Sequence, residues 1–171
     1  MTAEVIVIPL LTLTLLLQPS SPTPAQIRAA AIDIMKAARQ CTLVTIGGGG
    51  HPQARIVEPL IGADGSIWIA TNSLTRKVQE IKKDPRVTLM FFNQSASEYV
   101  AVLGRATLVT DAARKAAHWR AEWKPFYKDE YRGADFMLFE VRPSRLEVSS
   151  ARHGMNNDAT TWLPVILDVT P

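Results

Sequence analysis

Residues 71–77, Thr71-Asn72-Ser73-Leu74-Thr75-Arg76-Lys77, bring hydroxyls, an amide and two adjacent cations into one short stretch. The residues before them, Ser66–Thr71, read as a strand, and those after them, Thr75–Lys83, as a short amphipathic helix with Val78 and Ile81 inward. A helix start offers free backbone N–H groups and the positive end of the dipole. Cations and hydroxyls at that point make a pocket for a phosphate. The competing reading is a capped helix whose charges are solvated.

Few other residues show a catalytic pattern. The three histidines, His51, His118 and His153, have no metal-ligand spacing, so no metal site is expected. His51 lies beside a glycine turn and His118 inside a helical stretch; both read as surface or packing residues. His153 sits with Arg152 and Asn156 in a polar loop able to reach over a bound cofactor. The single cysteine, Cys41, opens a strand and reads as a buried hydrophobe. Neither Gly-x-Ser-x-Gly nor a paired-carboxylate pattern appears, which leaves a hydrolase without support. Trp119, Trp123, Phe126, Tyr127 and Tyr131 form an aromatic run read first as packing and second as substrate recognition.

The elements that must position these groups are short. Helices are expected at 26–39, Thr75–Lys83 and 112–122. Strands are expected at Cys41–Ile46, Gln53–Leu60, Ser66–Thr71, Arg86–Phe92, Tyr99–Val109, Phe136–Val141 and Arg145–Ser149, with Pro143 separating the last two. Four glycines, 47–50, and Gly62-Ala63-Asp64-Gly65 supply turns, and Gly104 marks a bulge or bend inside a long strand. Residues 151–171 read as an irregular tail that packs on the barrel or on a dimer mate. The result is a mainly β (α+β) fold: six or seven antiparallel strands in a small barrel with flanking helices. No G-x-G-x-x-G occurs, and strands do not alternate with helices, so a doubly wound dinucleotide domain is not expected.

The length of 171 residues fits one domain, and 47% hydrophobic residues can fill a core. A net charge of +3 is too small for a dedicated nucleic-acid binder. Residues 5–17 carry no charge and are too few for a membrane span of about 20. Followed by a Pro- and Ser-rich stretch ending at Ala25, they read as a signal peptide over residues 1–25. No Lys or Arg precedes them, so a retained anchor or an ordinary N-terminal strand stays open. Cleavage would place the protein outside the cytoplasm, in a periplasm or beyond; otherwise it is cytoplasmic.

Ala70-Thr-Asn-Ser-Leu-Thr-Arg-Lys77, then Asp84-Pro-Arg-Val-Thr-Leu-Met-Phe-Phe92, resembles the pyridoxamine 5′-phosphate oxidase-like FMN-binding split barrels, closest to the general-stress-protein branch. Ala54-Arg-Ile-Val-Glu-Pro59 and Tyr99-Val-Ala-Val-Leu-Gly-Arg-Ala106 are similar to the strands on either side, and the likeness spans about residues 28–149. The resemblance implies a split β-barrel and a homodimer with FMN at its interface. Arg76 and Lys77 would clasp the phosphate with Thr71 and Asn72 nearby; Arg55, Ile56 and Val57 would line the ribityl chain and ring. Ala70 would meet the ring edge, with Trp68 and Tyr99 as further contacts. The implied activity is a flavin oxidoreductase acting on a small molecule, the alternatives being a carrier or stress sensor without turnover, or a user of the deazaflavin F420. Oxidases of the family carry a lysine five residues after the strand arginine, where this chain has Leu60, and an Arg-x-His motif that Arg152-His153 does not reproduce. Oxidation of vitamin B6 is therefore not expected, and no catalytic residue is singled out.

Overall fold

The computed structural model describes residues 21–169. The expected cleavage segment lies mostly outside them. Its last described residues open helix α1 (Pro24–Ala38), where Thr23 and Gln26 form a reciprocal capping box. A cut after Ala25 would remove that cap and the first two helical residues.

α1 buries Ile27, Ala30, Ala31, Ile34 and Met35, the i, i+3, i+4, i+7, i+8 spacing that makes one apolar stripe. The stripe packs on the inner face of an antiparallel sheet. The strands are β1 (Cys41–Ile46), β2 (Pro52–Val57), β3 (Leu60–Ile61), β4 (Ile67–Asn72), β5 (Arg86–Asn93), β6 (Glu98–Leu108), β7 (Phe136–Ser149) and β8 (Val165–Asp168). Their order is β2-β1-β5-β6-β7-β4-β3, with β8 also on β7. The first half of β7 lies between β6 and β4, the second half between β6 and β8, and this divergence splits the barrel. Two further helices are short: α2 (Arg76–Lys83) and α3 (Ala112–Ala117).

Four details differ from the sequence expectations, and proline or pairing explains each. The strand expected over 53–60 divides, because Pro59 has no N–H to donate; its second part pairs with β4 instead. Pro143 does not end a strand. It sits opposite Gly104 at a register shift, and β7 runs through it. A Cβ on Gly104 would lie 2.3 Å from the Arg142 carbonyl oxygen, so the bulge needs glycine there. The helix expected over 112–122 stops at Ala117 and resumes as a 3-10 segment, Ala121–Phe126, which Pro125 keeps from becoming α-helix. The tail is not wholly irregular: β8 adds an eighth strand, with Val165 and Leu167 on the core.

A second, smaller core lies beyond β4 and the start of β7. Trp68, Tyr127, Phe136 and Leu138 are buried there, with Trp119 edge-on to Trp123, Tyr127 and Phe136 at 5.4–5.9 Å between centroids. These T-shaped contacts add about 0.5–1.5 kcal/mol each beyond burial. They fix the 119–127 segment against the barrel.

Candidate functional site

Side chains alternate along a strand, so neighbouring residues on β2 face opposite ways. Arg55 and Val57 turn inward, while Ile56 is 63% exposed on the outer face. On β4, Ala70 and Asn72 turn towards the second core, and Thr71 is buried on the other face. The turn into α2 is closed by side chains. Leu74 N–H donates to Asn72 Oδ1 (2.9 Å), and Thr75 Oγ1 donates to the Asn72 carbonyl (2.7 Å). The Thr71 and Thr75 hydroxyls lie 3.2 Å apart. These bonds aim the first turn of α2, with Arg76 and Lys77, at the space beside β2.

A carboxylate that the sequence reading passed over ties this space together. Glu80 has a side chain only 7% exposed, yet it accepts from Arg55 Nη2 (2.6 Å) and Thr45 Oγ1 (2.5 Å) and forms an ion pair with Arg76 Nε at 3.0 Å. Arg55 also donates to Thr45 through Nη1. Burial by itself would push the Glu80 carboxyl up. The bonds from Thr45 and Arg55 and the charges of both arginines outweigh that and hold it below the usual range. The signal for Glu80 was its place four residues after Arg76 on one helix face. Nothing in the sequence located Thr45 beside it.

Lys77 completes the cluster. It is half-buried, and no carboxylate among the described residues lies within ion-pair distance of its amine. Burial first, and then the Arg55 charge, pull its pKa below the lysine value of 10.5. Three cations and one carboxylate leave a formal charge of plus two. Lys77 faces a cavity of ≈ 490 Å³, shared on the barrel side with Val57, Ala70 and Asn72. Arg120, Trp123, Phe126 and Tyr127 form the opposite wall; the three aromatic residues read from sequence first as packing, and Arg120 carried no expectation. Arg120 stands 3.8 Å from Glu58 at the rim. A volume of this size lies in the usual range for small-molecule sites.

Not all sequence-predicted residues gather here. Trp68 is 7% exposed in the second core, donates its indole N–H to Ser66 Oγ (3.1 Å) and stacks on His118 at 3.8 Å. Tyr99 pairs with Phe92 and Ser149 and shares the outer sheet face with Ile56, Met90 and Phe92. Arg152 and His153 do not reach over the cavity. They bond Asp33 of α1 and the buried Glu98. Cys41 is buried, and burial pushes its thiol up to about 12, so it is inert at neutral pH. Among the described residues no cluster of His, Cys, Asp or Glu could hold a metal.

The sequence profile of the pyridoxamine 5′-phosphate oxidase family matches residues 27–150. The chain belongs to that family. Solved structures share the fold. A protein related to general stress protein 26 from Clostridium acetobutylicum aligns with a TM-score of 0.69 at 16% identity, covering 86% of this chain and 97% of its own. A pyridoxamine 5′-phosphate oxidase-related, FMN-binding protein from Nostoc punctiforme aligns at 0.54 and 16% identity, covering 89% and 100%. A heme-binding protein from Mycobacterium smegmatis aligns at 0.57 and 22%, covering 76% and 55%. No curated protein matches the chain. At these identities the likeness is one of fold.

Proposed function

We propose that this chain binds FMN as a homodimer and acts as a flavin-dependent oxidoreductase on a small molecule. The observation that carries the reading is the cluster of Arg55, Arg76 and Lys77 around Glu80, with a surplus charge of plus two, whose Lys77 lines a cavity. A phosphate monoester at neutral pH carries close to minus two, and charge-assisted bonds to it are the strong kind. Lys77 Nζ and the Arg76 Nη groups are the donors left for it, since Arg55 is engaged with Thr45 and Glu80. Val57, Ala70 and Trp123 would flank the ring. When bound, the flavin supplies hydride transfer at N5. The chain's own residues hold the phosphate and, through the Trp123–Tyr127 wall, shield the ring from water.

The outer sheet face supports the dimer. Ile56, Met90 and Phe92 are exposed side by side on β2, β5 and their neighbours, a patch that a second copy would cover. It also places Ile56 and Tyr99 at the interface, in keeping with a cofactor bound between subunits. Heme is the weaker reading: among the described residues lining the cavity Tyr127 alone could ligate iron, with no His, Cys or Met beside it.

Titration of the apoprotein with FMN, followed by flavin absorbance and fluorescence, tests the proposal. Saturable binding at one site per chain, with riboflavin binding much more weakly, is expected. Equal affinity for both, or no uptake, would overturn it. Bleaching of the bound flavin by NAD(P)H and its recovery in oxygen would then separate an enzyme from a carrier.

A further inference from the structure

A carboxylate is an odd component for a phosphate cradle, because it repels the ligand. Glu80 is nonetheless buried at its base, with Arg55 and Arg76 both committed to it from different elements. One cation is enough to balance the formal charge of a buried carboxylate. This one binds two, and a third, Lys77, stays unpaired among the described residues and faces the cavity. Without Glu80 the two guanidinium groups and the lysine would repel one another, and Arg76, 69% exposed, would swing free.

We infer that Glu80 is a positioning residue that sets the charge selectivity of the cradle, trimming three cations to plus two so that it takes one phosphate monoester in preference to diphosphate or triphosphate ends. This rests on the proposed phosphate site. A monoester dianion neutralises the cradle, whereas inorganic pyrophosphate, with about one further negative charge near neutral pH, overfills it. Thr45 supports the same arrangement, holding both Glu80 and Arg55 from β1.

The test is displacement of bound FMN by inorganic phosphate, pyrophosphate and tripolyphosphate, read by recovery of free-flavin fluorescence. In the unaltered protein, phosphate should compete at least as well as pyrophosphate. In Glu80→Gln the ranking should shift towards pyrophosphate by about tenfold, the scale of one screened charge interaction. Glu80→Asp should restore the original order. The double variant Glu80→Gln with Arg76→Gln returns the formal charge to plus two, and should also restore it. An unchanged ranking in a folded Glu80→Gln protein would overturn the inference, as would a double variant that keeps the altered ranking. Loss of fold in both variants would also count against it, because the charge-restored protein should be tolerated. If FMN binds the unaltered protein but no anion displaces it, the phosphate-site reading itself fails.

Discussion

Among the described residues two buried glutamates, Glu80 and Glu98, are clasped by arginine, and they differ in what is left over. Glu98, with no exposed side-chain surface, accepts from Asn93 Nδ2, Ser150 Oγ and Arg152 Nη2 at 2.6–2.8 Å. Arg152 also pairs with Asp33, and His153 bridges Ser150 and Asp33. Two carboxylates there meet one arginine and one histidine, so no positive charge is in surplus. Ser150, His153 and Asp33 line up as a nucleophile, base and orienting acid would. Yet Ser150 is 1% exposed and gives its proton to Glu98, so the cluster is a clamp between the tail, β6 and α1. At Glu80 the count goes the other way, with three cations to one acid and a cavity in front. The satisfied cluster ties elements of the fold together, and the over-charged one keeps a cation facing open space, which is what the proposed phosphate site uses.

Four experiments test that contrast. Replacing Arg76 and Lys77 together by alanine should weaken FMN binding by about 3–6 kcal/mol, taking roughly 1.5–3 for each charged hydrogen bond. Urea unfolding of the apoprotein should change by no more than about 1 kcal/mol, since Arg76 is largely exposed. Glu98→Gln should do the reverse. Stability should fall by about 2–4 kcal/mol, because Arg152 loses a buried partner, while FMN affinity per folded molecule stays the same. Glu98→Gln weakening FMN as much as the cradle variant would erase the distinction.

The pH responses should separate as well. Hydrogen bonding from Arg152, the largest cause, with Ser150 and Asn93 against the opposing effect of burial, brings the Glu98 carboxyl from its ordinary 4.5 to about 2. Its stabilisation is therefore complete above the unfolded value and lost as pH falls from about 4.5 to about 2. Chemical denaturation across that window should show a decline that Glu98→Gln flattens. The smallest effect concerns Lys77, whose lowered pKa means that it sheds its proton earlier than a free lysine. FMN affinity should weaken on the alkaline side before the ordinary lysine range is reached, and Lys77→Arg should hold it level, because arginine stays charged.

Much of the architecture was legible in the sequence. Period-two strands, turn glycines and the alanine-rich helix specify local geometry, and local geometry follows from near neighbours. What escaped depends on pairing. β8 is four residues long and exists because β7 offers a free edge; Pro143 is tolerated because Gly104 lies opposite it. The helix after Asp111 ends early because Trp119 and Tyr127 find Phe136, nine residues beyond Tyr127.

The site divides along the same line. The sequence by itself determined that Thr71, Asn72, Arg76 and Lys77 stand together where a strand meets a helix, because they are neighbours in the chain. It also determined the family, through the order of several modest motifs. Only the tertiary structure decided which face of β2 meets them, that Thr45 and Glu80 lie between Arg55 and Arg76, and that the 119–127 segment closes the far wall. Electrostatic balance is a sum over groups distant in sequence and close in space, and only the folded chain performs it.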